Sequence, residues 1–174
     1  MGQASMEIKR LQMNASELTV RLAQPDDHDW IIAAHGDVYA KEFGFDSRFQ
    51  NSISEKVRSF LDLISPFNRI WIGLVGGERV ASIAVSERPS RVAFLNFVLT
   101  LPEHRGKGVG FAMMQLAINH ARGHSFLEVQ LETYSCLIDA RALYGRLNFR
   151  LTEVVPEQVA YGKRFDQEFW TLKL

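Results

Sequence analysis

The sequence predicts an α+β domain: a mixed, mostly antiparallel sheet of six to seven strands with helices on both faces. Three observations carry that prediction. Strand-like runs at 69–75, 79–85 and 91–99 follow one another across short polar turns, as antiparallel neighbours do. A strand–helix–strand unit running from 91 to 133 then interrupts them, and such a crossover requires one parallel pairing. Helical segments with an apolar stripe stand on either side of the three-strand run, so each sheet face has something to cover it.

The elements follow in order. "LTVRLAQ" (18–24) alternates and is rich in strand formers, and Pro25 with two aspartates behind it marks a helix entry. Residues 26–41 place Trp30, Ala33, Ala34 and Val38 at helical spacing, and "GFDSRF" ends the pattern with Asp46 or Ser47 as the next cap. A second helix over 47–64 carries Phe49, Ile53, Val57, Phe60, Leu61 and Ile64 on one stripe. The strands 69–75 and 79–85 meet across Gly76-Gly77-Glu78, a hairpin turn. After 91–99, a helix from about 108 to 122 is expected to stop at Gly123 in a left-handed cap. "FLEVQLET" (126–133) reads as a strand and 137–147 as a short helix. "FRLTEVV" and "FDQEFWTLKL" close the chain as strands flanking a polar loop, 156–164.

The totals fit one domain. The chain has 174 residues, enough to bury a core without staples, and 20 Lys plus Arg balance 20 Asp plus Glu. That balance argues against general nucleic-acid or membrane-surface binding. A single cysteine, Cys136, has no internal partner, no His/Cys cluster has metal-ligand spacing, and a reducing, cytoplasmic setting is the economical expectation. There is no apolar run long enough for a membrane span. Residues 1–17, with a second Met at Met6 that reads as an alternative start, are expected to be an N-terminal extension before a single domain over 18–174.

The most informative stretch is "LTLPEHRGKGVG" (99–110). A strand leaves through a proline into three glycines interleaved with two cations, and the glycines open a helix. Helix N-termini carry unpaired N–H groups and favour an anion; glycines let the backbone approach it, and Arg105 and Lys107 add charge. The P-loop pattern is absent, and Gly106, Gly108 and Gly110 lack the spacing of the dinucleotide fingerprint. On spacing alone, a basic turn with a tight helix start remains the competing reading.

"RGKGVG" matches Arg/Gln-x-x-Gly-x-Gly/Ala, the pyrophosphate-binding signature of the GNAT superfamily of N-acetyltransferases. "FVLTLPEH" looks like that family's fourth strand and its exit, and "ARALYGRLNF" (140–149) resembles its Ala-x-x-Leu-Tyr-x-x-x-Gly-Phe segment. The resemblance spans about residues 18–174 and includes the element order. A finer likeness, in "HGDVYAKEFGFDSRF" (35–49) and the final "FWTLKL", is to GNAT domains fused behind MarR-type winged helix-turn-helix modules; the 17 residues before the first strand are too few for such a module, so no nucleic-acid partner is expected. Two positions depart from the pattern. Leu137 stands where many members have an Asn that contacts the pantetheine arm, and Asn148 replaces the usual Gly, a position where Asn tolerates left-handed backbone.

The resemblance implies acetyl-CoA as donor, an amine as acceptor, and direct attack in a ternary complex. Backbone of Arg105, Gly106, Lys107, Gly108, Val109 and Gly110 is assigned to the pyrophosphate. Phe97, Val98 and Leu99, on a strand that bulges and splays in this family, are assigned to the thioester, where a backbone N–H would stabilise the oxyanion. Tyr144 is assigned as general acid for the departing thiolate and as a cofactor contact; from pattern alone it is a core tyrosine. For proton removal from the amine, Glu132 and Glu42 are the carboxylate candidates and His35 a third. His35, Tyr39, Phe43 and Asn96 are the acceptor-side candidates. Each has a bland alternative as a solvated carboxylate, helix histidine, core aromatic or satisfied strand polar group. The terminal strand, apolar on both faces, is expected to be an exposed edge and hence a dimer contact. A non-catalytic acyl-CoA sensor is the alternative function.

Overall fold

The computed structural model describes residues 9–13 and 16–174. Its order is β1 (Lys9–Met13), β2 (Ser16–Leu22), α1 (Pro25–Phe43), α2 (Ser47–Asp62), β3 (Arg69–Val75), β4 (Glu78–Arg88), β5 (Val92–Thr100), α3 (Val109–Gly123), β6 (Glu128–Tyr134), α4 (Ile138–Arg146), β7 (Arg150–Ala160) and β8 (Lys163–Lys173). All seven expected strands and four helices are present. An eighth strand comes from the N-terminal extension: β1 pairs antiparallel with β2, from Lys9↔Val20 to Met13↔Ser16. Residues 1–8, Met6 included, and 14–15 of that extension lie outside the described residues.

The strand order is β1-β2-β3-β4-β5-β6-β8-β7, and only β5–β6 is parallel. Helices cover both faces because the inner strands are apolar on both. On β3, Ile70 and Ile72 face a cluster with Ile31 of α1 and Phe49, Ile53, Val57 and Phe60 of α2. Trp71 faces the other way, into a cluster built on Val109, Met113, Met114, Ala117, Ile118 and Ala121 of α3. Tyr144 and Leu147, at the end of α4, join that second cluster.

The start of α1 is fixed by a buried charge cluster. Asp27 accepts from the backbone N–H of Gln24 at 2.6 Å and forms ion pairs with Arg21 at 2.5 Å and Arg79 at 2.8 Å. Burial opposes ionisation of this carboxyl, but the Arg21 hydrogen bond, the Gln24 N–H and Arg79 outweigh it and hold it below its usual range. Gly44, at φ 68°, closes α1 in the left-handed conformation, and Asp46 caps α2 by accepting from Arg48 N–H at 3.0 Å.

Several expectations need correction. Ala33 and Leu61 are exposed rather than on the buried stripes, and α2 stops before Ile64, which is fully exposed. Gly123 lies inside α3; the left-handed residue after this helix is Ser125, at φ 60°. The polar loop 156–164 does not exist: β7 and β8 continue through it and turn at Tyr161-Gly162, both with positive φ. Pro156 and the polar residues after it suggested a loop, yet a bulge between Val155 and Gln158 absorbs the proline on a strand with one free side. The last strand is not an edge either. β8 sits between β6 and β7, its two-sided apolar character serving two sheet faces, and β7 is the edge.

Candidate functional site

The sheet opens where its one parallel pairing ends. β5 and β6 are in register only from Val92↔Glu128 to Phe94↔Gln130. Beyond that point the strands part, and a cavity of about 100 Å³ is lined by Phe94–Val98 from β5 and Leu131–Tyr134 from β6. His35 and Tyr39 of α1, Phe49, Ile53 and Lys56 of α2, and Leu137 and Tyr144 complete its walls.

A bulge shapes the β5 wall. Between the pairs Ser82↔Leu99 and Ala84↔Asn96, Phe97 and Val98 stand opposite the single Ile83. Phe97 is at φ 52°, a left-handed conformation that is costly for a bulky residue. The buried Ser82 hydroxyl holds it there, donating to Phe97 O at 2.6 Å. Leu99, the third residue assigned to this strand end, packs on Ala34 and Val38 of α1.

β5 leads through a short 3₁₀ turn, Pro102–His104, into the glycine loop. Gly106 and Gly108 take φ of 70° and 86°, so both need glycine, and a side chain at Gly106 would meet open space. Gly110 serves packing instead: a Cβ there would lie 3.3 Å from Leu143 and 3.4 Å from Thr100. Gly108 is the N-cap of α3 and offers no side chain, so nothing of that kind caps the first N–H groups of a 15-residue helix. This arrangement fits a bound anion. The loop's cations are engaged elsewhere. Lys107 Nζ donates to Glu103 O at 2.8 Å, and Arg105 binds Thr100 O and Glu42.

Tyr144 reaches the cavity from α4 and is buried, with Phe149 and Trp170 rings 6.1 Å away. Burial pushes its phenol up to about 12, and the Thr133 hydroxyl, close enough to favour the ionised form, opposes this. Thr133 Oγ1 nevertheless falls short of hydrogen-bond geometry and is buried without a partner. An unsatisfied buried hydroxyl is costly, and this one belongs to a residue that lines the cavity.

Of the candidates for proton removal, Glu132 lines the cavity and accepts from Gln167 at 2.8 Å. Glu42 does not line it, its carboxylate being held by Arg105. His35 is buried with Nδ1 2.7 Å from Ile31 O. A carbonyl only accepts, so Nδ1 carries the proton and the neutral ring leaves a lone pair on Nε2. Burial, opposed by that carbonyl and aided by Lys56, lowers the ring to about 4.

On the acceptor side, Tyr39 lines the cavity and stacks on Phe49 at 4.2 Å between ring centres. Phe43 does not line it but backs Tyr39 at 5.4 Å. Asn96 reaches the cavity, while its amide donates to Ser86 Oγ at 3.1 Å and Phe94 O at 3.0 Å. Leu137 lines the cavity at the start of α4, and Asn148 is left-handed at φ 66°, as expected. Sequence reasoning missed Thr133 and Lys56. Alternation along β6 marks Thr133 as a core position, and nothing local reveals that the sheet opens beside it.

Residues 28–149 match the family described as acetyltransferase (GNAT) family. N-acetyltransferase 8F1 of Rattus norvegicus is 27% identical over 128 residues, covering 71% of this chain and 52% of the relative. N-acetyltransferase family 8 member 2 of the same organism is 29% identical over 108 residues, covering 59% and 46%. The chain thus spans about half the length of the curated relatives it matches. Among solved structures, an N-acetyltransferase from Staphylococcus aureus Mu50 superposes with a TM-score of 0.75 at 16% identity, covering 90% of this chain and 98% of that one. A GCN5-related N-acetyltransferase from Kribbella flavida gives 0.73 at 22% identity, with 90% and 98% covered.

Proposed function

Because the chain belongs to the acetyltransferase (GNAT) family, we propose that it transfers acetyl from acetyl-CoA to a primary amine by direct attack in a ternary complex. The observation that carries this reading is the continuity of one surface. The splayed β5–β6 cleft, the bulge at Phe97 and the glycine loop at the start of α3 follow one another along a single strand exit.

In this reading the uncapped N–H groups at the start of α3 and the bare backbone of Gly106 and Gly108 hold the pyrophosphate of acetyl-CoA. Arg105 and Lys107 shape the loop by their internal bonds and leave the backbone as the main ligand. Backbone N–H groups of the Phe97–Leu99 segment steady the oxygen on which charge develops. The amine nitrogen forms a bond to the acetyl carbon as the carbon–sulfur bond breaks, and the sulfur keeps the electron pair. An ammonium acceptor sheds two protons. One goes to water by way of Glu132 or His35; the other is balanced by the proton that Tyr144 supplies to sulfur.

The test is release of free thiol from acetyl-CoA with a panel of amines, alongside calorimetry with CoA. Amine-dependent release supports the enzyme. CoA binding without release from any amine points to the sensor reading instead.

Three finer inferences accompany this one. Kinship with GNAT domains fused to MarR-type modules rests on residues 35–49 and the final strand. No described helix is long and apolar enough to cross a membrane, and with one half-buried cysteine a cytoplasmic setting is inferred. Homodimerisation is inferred through β7, the edge strand that carries exposed Leu151, Val154 and Val159 at the end of the sheet opposite β1. Light scattering at high micromolar concentration tests it, a monomer mass counting against it.

A further inference from the structure

The charges around the cavity do not suit a simple alkylamine. Three ionisable side chains other than tyrosine and histidine bear on it: Lys56, Glu132 and, over the Phe94 ring, Arg88. Arg88 lies 3.3 Å from the centre of that ring, and Glu132 is the carboxylate whose field acts on it. Glu132 also accepts from Gln167. It is held by that hydrogen bond and lies in the field of Arg88 without forming an ion pair. Lys56 has no hydrogen bond or ion pair among the described residues. An unmatched ammonium beside a small cavity repels a cationic amine and attracts an anionic group.

Lys56 is placed by helix geometry. Phe49, Ile53 and Lys56 are spaced i, i+4, i+7 on α2, so the ammonium stands at the end of the apolar stripe that walls the cavity. His35 and Thr133 line the same space: the Nδ1 bond to Ile31 O leaves Nε2 of His35 as an acceptor, and Oγ1 of Thr133 is buried without a partner among the described residues. A ligand that satisfies this set offers N–H groups to a lone pair, an anion to an ammonium, and an apolar body to Tyr39, Phe49 and Ile53.

We propose that the acceptor is an amino acid with an aliphatic side chain, its nitrogen donating to His35 Nε2 and its carboxylate paired with Lys56. The proposal rests on the acetyltransferase reading above. An α-amino acid keeps nitrogen and carboxylate adjacent, as suits His35 and Lys56, whose charge acts on that ring, and an aliphatic side chain suits the apolar wall of Tyr39, Phe49 and Ile53. The products are the N-acetyl amino acid and free CoA thiol: the nitrogen gains the acetyl group and loses two of its three ammonium protons, one released to water and one balanced by the proton that the departing sulfur takes up with its electron pair.

The experiment compares leucine, leucinamide and isopentylamine as acceptors, by thiol release, in the wild-type protein and in Lys56→Ala and Lys56→Glu. Leucine is expected to exceed isopentylamine by about tenfold or more in kcat/KM, with leucinamide near the amine; tenfold is the scale of one well-placed ion pair. Lys56→Ala is expected to lower kcat/KM for leucine by about that factor through KM and to raise it for isopentylamine, which no longer meets the ammonium. Lys56→Glu is expected to reverse the preference. Equal use of leucine and isopentylamine by the wild type, equal losses for both in Lys56→Ala, or turnover of isopentylamine without turnover of leucine overturns the proposal alone. Failure to bind CoA in calorimetry overturns the acetyltransferase reading itself.

Discussion

Arg105 grips both carboxylate oxygens of Glu42, with Nη1 2.9 Å from Oε1 and 2.8 Å from Oε2, and so ties the glycine loop to the last turn of α1. A carboxylate committed in this way is poorly placed to accept a proton from an amine. Both side chains are partly exposed, and such a pair contributes only about 0–1 kcal/mol. Glu42→Gln is expected to reduce turnover less than tenfold at saturating substrates. A loss of about 10²–10⁴-fold, the size of general base catalysis, would return Glu42 to the chemistry.

Gly108 caps α3 at φ 86°, and a β-branched residue there is strained while covering the N–H groups behind it. Gly108→Val is expected to weaken CoA binding more than tenfold in calorimetry. Lys107→Ala is expected to do less, because that ammonium is bonded to Glu103 O. Equal, small losses in two folded variants would remove the loop from the pyrophosphate.

Tyr144 lies buried at the cavity with its phenol raised to about 12 by burial. A raised acid stays protonated, so it remains able to donate at every pH below that value, and turnover should show no loss attributable to it up to about pH 11. Tyr144→Phe is expected to slow the single-turnover rate by about 10²–10⁴-fold with little change in CoA affinity. A wild-type rate in the Phe variant leaves water as the proton source.

Asp27 joins β2, β4 and the start of α1 through Arg21, Arg79 and the Gln24 N–H. Its carboxyl is held below the usual range in the folded state, so the stability it contributes is complete above the unfolded value of about 3.9 and is lost as pH falls through the lower folded value. Asp27→Asn leaves two guanidinium groups without their buried partner. We expect it to cost about 3–5 kcal/mol in urea unfolding at neutral pH. The difference from wild type should shrink as the pH drops below 4. A variant as stable as wild type at pH 7 would show that the cluster contributes nothing net.

Local patterns were enough for the sequence to determine the order of elements and the glycine loop. Strand alternation, the stripe Phe49–Ile53–Val57–Phe60 and the requirement for φ above zero at Gly106 and Gly108 are each set by neighbours within a few residues. Tyr144 and Asn148 were marked by the resemblance of residues 140–149 to the family's segment, whereas helical spacing by itself marked Tyr144 only as a core position. Tertiary structure alone decided what happens where strands part. That Thr133 lines a cavity depends on β5 and β6 separating after Phe94↔Gln130, a pairing between segments over 30 residues apart. That Glu42 is occupied depends on Arg105, 63 residues away. That β8 is covered on both sides depends on β7 folding back through a bulge at Pro156, which polarity and proline disguised as a loop. A charge or an edge has no meaning until its partner is in place, and these partners are brought together only by the packed sheet.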